Sequence, residues 1–135
     1  MDTKVMVVGS AKASYTNTDR RRPRIRLAGF WLNEIGFEYE RLVTAEYQNG
    51  RINLKAEGSG IETYKSLVKD VRKNNSDLIK VENQYHNKKL TPHLEIKGFR
   101  LNDLGFNIGS VILVRFKYGH IEIILLDISN LSIGQ

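Results

Sequence analysis

Three histidines and a crowd of arginines are the residues of this 135-residue chain whose types could do chemistry. His86 and His93 flank Lys88-Lys89 in a polar stretch. Metal-free RNA cleavage needs a general acid and base, often His, with a cation to meet the charge on the phosphorane. These four residues are the one constellation with that composition, and exposed loop histidines are its plainer reading; His120 stands apart. Binding has broader support. Arg20-Arg21-Arg22, Arg24 and Arg26 lie beside the start of a strand, and guanidinium forks suit phosphate oxygens and guanine edges. Lys88, Lys89, Lys97 and Arg100 complete the candidate nucleic-acid-binding set. Tyr15 and Tyr39 have faces on which bases could stack, although rim packing is the plainer role for Tyr39. Carboxylates are scattered singly, without the spacing of a metal site, and there is no cysteine. Gly58-Ser59-Gly60 is too short for a phosphate loop and lacks its Lys. No metal and no cofactor are expected.

The charge agrees with a polyanionic partner. The chain carries +6, and residues 1–26 hold seven Lys or Arg against two Asp. Residues 57–93 add +2, leaving the rest near neutral. Nucleic acid is the first partner this suggests and a membrane surface the second; a solvated basic terminus is the bland alternative. No apolar run approaches the roughly 20 residues needed to span a bilayer, and the first apolar run is too short for a signal peptide. A soluble cytoplasmic protein, with no membrane partner, is expected.

The elements that position these residues come twice. Sliding the chain by 69 positions sets residues 23–56 on residues 92–125 without a gap, with nine identities in 34 positions. They include Pro23/Pro92, Gly29-Phe30/Gly98-Phe99, Leu32-Asn33/Leu101-Asn102, Gly36-Phe37/Gly105-Phe106 and Gly50/Gly119. In each copy an alternating strand ends at a glycine, and one helical turn follows, stopped by Gly36 or Gly105. A hairpin comes next. Asn49-Gly50 is a strong turn signal; Tyr118-Gly119 predicts a longer or bulged turn, because Tyr tolerates positive φ poorly. A further strand is expected before each copy, at residues 4–9 and 78–81. Between the copies, Ser59-x-x-Glu62 reads as a capping box, and Ile61, Tyr64, Leu67, Val68 and Val71 recur at helical spacing, with Asn74-Asn75 as the stop. The apolar runs at 111–114 and 121–126 predict strands buried on both faces, under the linker helix or another chain.

One such unit is too small to bury a core alone. The organisation expected is repeat 1 at 1–58, a helical linker at 59–76 and repeat 2 at 77–135, with the two repeats paired as one intertwined, mainly β domain.

The residues Pro23, Ile25, Leu27, Gly29, Trp31, Leu32, Gly36, Phe37, Val43, Gly50, Ile52 and Leu54 resemble the core of the SymE-type toxin family. That family belongs to the AbrB-like swapped-hairpin superfamily. The resemblance covers residues 4–56 and, more faintly, 78–126. It implies an AbrB-like swapped-hairpin β-barrel formed as an intramolecular pseudo-dimer. It also implies a toxin–antitoxin-type protein that binds RNA or DNA and could cleave RNA, or a non-catalytic DNA-binding or protein-interaction module. Where the family carries Lys before the first glycine, this chain has Ala28 and Lys97; its Trp is Trp31 in one copy and Arg100 in the other; a later glycine is Glu40 and Gly109. The matched positions build turns and core, so no catalytic residue transfers. The second, more apolar repeat suggests self-association or a partner protein.

Overall fold

Alternation dictates the strands. In β3 (Arg21–Ala28), Ile25 and Leu27 are buried while Arg22, Arg24 and Arg26 are half-exposed, the period-2 pattern of a strand with one face on a core. The computed structural model describes residues 2–12, 20–73, 76–86 and 88–126. Tyr15 and the expected helix stop at Asn74-Asn75 lie outside them. Before β3 come β1 (Asp2–Val7) and β2 (Gly9–Lys12). After it come α1 (Trp31–Glu34), β4 (Leu42–Gln48), β5 (Arg51–Ala56) and α2 (Ile61–Lys73). The second half comprises β6 (Asp77–Lys80), β7 (Glu82–His86), β8 (Lys89–Lys97), α3 (Arg100–Asp103), β9 (Val111–Lys117) and β10 (His120–Leu125).

These strands make two antiparallel sheets, ordered β1-β9-β10-β5-β4-β6 and β2-β3-β8-β7. The mainly β class is as expected. A closed barrel is not formed: β1–β2 and β6–β7 cross from one sheet to the other at the buried Val8 and Val81, leaving both sheets open-edged. The inner faces share one apolar cluster, in which Phe37 and Phe106 are both 0% exposed.

The strand registers carry a pseudo-two-fold axis. Arg26 pairs with Glu95, its own counterpart 69 residues on, and Asn53 pairs with its counterpart Glu122. Upstream strands obey an offset of 73 instead: Met6 opposite Ile112 matches Ile79 opposite Val43. The four extra positions fall between β2 and β3, where the first copy has the longer connecting sequence. The halves interlock. β1 pairs with β9 of the second half and β6 with β4 of the first. The Gly29 amide donates to the Pro92 carbonyl, and Gly98 to Pro23, each at 3.1 Å. The Gly50 amide donates to the Leu104 carbonyl at 2.8 Å and Gly119 to Ile35 at 2.7 Å, so each hairpin turn is pinned by the other half's helical turn.

Three local expectations change. The turn at Tyr118-Gly119 is as short as its partner, with Lys117 opposite His120, because only Gly119 needs positive φ (77°). Helix α2 starts at Ile61, its first bond running from the Tyr64 amide to the Gly60 carbonyl, so Gly60 and not Ser59 stands at the cap. It lies against β4 and β6, with Leu67, Val68 and Val71 half-buried and Ile61 and Tyr64 exposed. It does not cover the second repeat, whose strands alternate instead of being buried on both faces, because the short link from β5 returns it over its own half.

Glu40 sits at φ 69° where Gly109 sits at 91°, and their amides make equivalent bonds to Val81 and Val8. A side chain in this left-handed region costs about 1–2 kcal/mol, offset in part by the extra freedom glycine gives the unfolded chain. Glu40→Gly should therefore stabilise by about 0.5–1 kcal/mol in urea denaturation. A lower urea midpoint at unchanged slope would contradict this account.

Candidate nucleic-acid interface

Because Ile25 and Leu27 point into the core, Arg22, Arg24 and Arg26 face outward from the four-stranded sheet. Successive guanidinium stems leave the strand roughly 6.6 Å apart at the usual rise. None of the three forms an ion pair among the described residues, and the Arg22 Nε is buried with no partner there. Lys97 lies opposite Arg24 and extends the row, although its Nζ is 3.1 Å from Glu95. At the start of β3, Arg20 stacks over the Phe99 ring at 4.3 Å and Arg21 donates to the Ser10 hydroxyl at 3.2 Å.

The other basic candidates lie elsewhere. Lys88 (φ 65°) and Lys89 form the β7–β8 hairpin tip. Lys89 is eight residues along β8 from Lys97, roughly 26 Å in extended chain. Arg100 is engaged: its guanidinium pairs with Asp77 and stacks over the Tyr47 ring at 4.3 Å, and the Tyr47 hydroxyl donates to Asp77 at 2.8 Å. Burial, then the hydrogen bond and charge of Asp77, hold the Tyr47 phenol well above its ordinary pKa, with Arg100 pulling the other way.

The backbone sets His86 and His93 apart along the β7–β8 ladder. His86 stands opposite Lys89 and His93 opposite Glu82, so the two lie four ladder positions apart, roughly 13 Å. The His93 Nδ1 is buried without a partner among the described residues. His120 contacts the Asn53 Oδ1 at 3.3 Å on the other sheet. Tyr39, half exposed, is on a loop before β4.

Two clefts escaped the sequence reading. The β2–β3 ladder stops at Gly9 opposite Arg24 while β3 continues to Ala28, and the chain upstream bends away at Val8. The gap is lined by Lys4, Met6, Arg26, Leu27, Ala28 and Trp31. Its mate lies beside β8, where the β7–β8 ladder stops at Glu82 opposite His93, and it contains Tyr47, Asp77, Glu95, Lys97 and Arg100. The offset of 73 was the signal that equates Lys4 with Asp77, and the offset of 69 equates Trp31 with Arg100.

Comparison with protein-family models, curated proteins and solved structures finds no match for this chain. Among the described residues, no helix is long and apolar enough to cross a membrane.

Proposed function

We propose that this chain is a nucleic-acid-binding protein, a single-chain counterpart of the SymE-type, AbrB-like swapped-hairpin dimers. The observation that carries the reading is the row Arg22, Arg24, Arg26 on one sheet face, none of them in an ion pair among the described residues. Strands exchanged about a pseudo-two-fold axis support the swapped-hairpin part of it. A toxin–antitoxin role and RNA cleavage come with the resemblance alone.

Fluorescence anisotropy with labelled single-stranded RNA, single-stranded DNA and duplex DNA at rising salt tests the reading. Three phosphate contacts give a log–log salt slope of about −2 on a single strand, and Arg22/Arg24/Arg26→Ala should remove most of it. Equal binding by parent and triple variant would sink the assignment of this face. Incubation of labelled RNA with parent and a His86/His93→Ala variant separates cleavage from binding.

A second reading, a protein-interaction module, has its own observation. Val5 and Val7 are 67% and 60% exposed, and Val5 shares the outer face of its sheet with Leu113 and Ile124. Light scattering on a size-exclusion column reports self-association through that face; a mass of one chain leaves only foreign partners for it.

A further inference from the structure

We propose that the cleft between β1 and β3 holds one unstacked nucleotide of a single strand, its base against the apolar walls and its phosphate between Lys4 and Arg26. This rests on the nucleic-acid reading of the arginine row and adds the strandedness of the ligand.

The two clefts are the same feature built twice, with opposite contents. At the second cleft Arg100, Asp77 and, from β4, Tyr47 plug the gap with an ion pair, a hydrogen bond and a stacked guanidinium, leaving about 140 Å³. At the first cleft the equivalent positions are Trp31, Lys4 and, from β9, Phe116, and about 370 Å³ stays open. That volume lies at the low end of pockets that take small ligands. No carboxylate lines it, and neither Lys4 nor Arg26 forms an ion pair among the described residues.

The indole is held ready. Its Nε1 donates to the Ala28 carbonyl at 2.9 Å, and its ring packs on Phe116 at 4.7 Å. The Lys4 ammonium lies 4.7 Å from the ring centroid. An apolar gap with two cations at its rim, neither in an ion pair among the described residues, selects a flat body bearing negative charge. A nucleotide in a single strand fits, since its base is free to leave the stack; in a duplex the bases stay paired and stacked. Arg26 belongs both to the cleft and to the arginine row, so the neighbouring phosphates of the same strand meet Arg24 and Arg22.

Trp31 is the chain's one tryptophan, so its emission reports on this cleft alone. Titrating the full chain with single-stranded oligonucleotide should change that emission saturably, over the concentrations at which anisotropy of a labelled strand rises. A Lys4→Asp/Trp31→Arg/Phe116→Tyr variant transplants the second half's plug. It should keep the parent's far-ultraviolet dichroism and a single cooperative melt, weaken single-strand binding about tenfold and change duplex binding less than twofold. Lys4→Met, which keeps Trp31, should weaken single-strand binding severalfold. Anisotropy that rises while the emission stays flat would overturn the cleft proposal and leave the arginine face standing. No binding of any nucleic acid would overturn both. An emission response to an aromatic carboxylate, with none to the oligonucleotide, would overturn the nucleotide assignment.

Discussion

Phe37→Ala and Phe106→Ala should each lower the unfolding free energy by about 3–5 kcal/mol, and each should do so for the whole chain. Both rings are fully buried, and each follows its helical turn with its amide bonded to the carbonyl of Leu32 or Leu101 at 2.8 Å. Truncation removes the transfer free energy of the ring and leaves a cavity in a core that relaxes only in part. Against a total of about 5–15 kcal/mol, the loss brings the protein close to its threshold. The two halves share one cluster and exchange edge strands, so neither should melt alone. Trp31 belongs to the first half and Phe106 to the second. Urea titration of Phe106→Ala, followed by Trp31 emission and by far-ultraviolet dichroism, should give one transition shifted equally by both probes. An unshifted Trp31 transition beside a shifted dichroism curve would show that the halves unfold separately.

Gly29→Ala should destabilise the chain more than Gly98→Ala, although the two glycines occupy equivalent sites with the same φ of 134°. Backbone conformation there costs a side chain about 1–3 kcal/mol, and both variants bear it. They differ in what the new methyl meets. At Gly29 a Cβ would lie 2.7 Å from Trp31 Cδ1, whereas at Gly98 nothing lies within 4 Å. Trp31 cannot move aside without loosening its packing on Phe116 and its bond to Ala28. Gly98→Ala should lower the melting temperature by about 3–5 °C per kcal/mol of that backbone cost, and Gly29→Ala by several degrees more. Trp31→Phe in the Gly29→Ala background should recover part of the difference. Equal melting temperatures for the two single variants would remove the steric half of this account.

Local structure was largely legible because it depends on neighbours in sequence. Gly36 and Gly105 stop their turns, Gly50 and Gly119 make their hairpins, and the alternation of Ile25 and Leu27 set Arg22, Arg24 and Arg26 on the opposite face. That the halves pair was expected from the repeat, but which strands pair across them was not legible. Alternation says which face a strand buries and nothing about its neighbour, so the union of β1 with β9 left no trace in residues 2–7. The four extra residues of sequence before β3 also hid the correspondence of Val8 with Val81, where the chain crosses between sheets. The basic residues divided for the same reason. Arg22, Arg24 and Arg26 share a face by local periodicity, while the distance of Lys88 and Lys89 from them and the capture of Arg100 by Asp77 depend on long-range packing. Lys4 gave no sign of a site because Trp31 reaches it only through the tertiary fold.

The pairs that straddle the pseudo-two-fold axis bear on which assemblies this sequence permits. Arg26 faces Glu95, and Asn53 faces Glu122, which Arg51 and Arg115 approach at 3.3 and 3.4 Å. If either half joined a second copy of itself in this geometry, Arg26 would meet Arg26, or Glu95 would meet Glu95 and Glu122 would meet Glu122. Like charges directly opposite on a ladder repel. At the axis each half thus carries charge that its twin accepts and a copy of itself would repel, by about 0.2–1 kcal/mol per pair, and the covalent link keeps the matching partner always at hand.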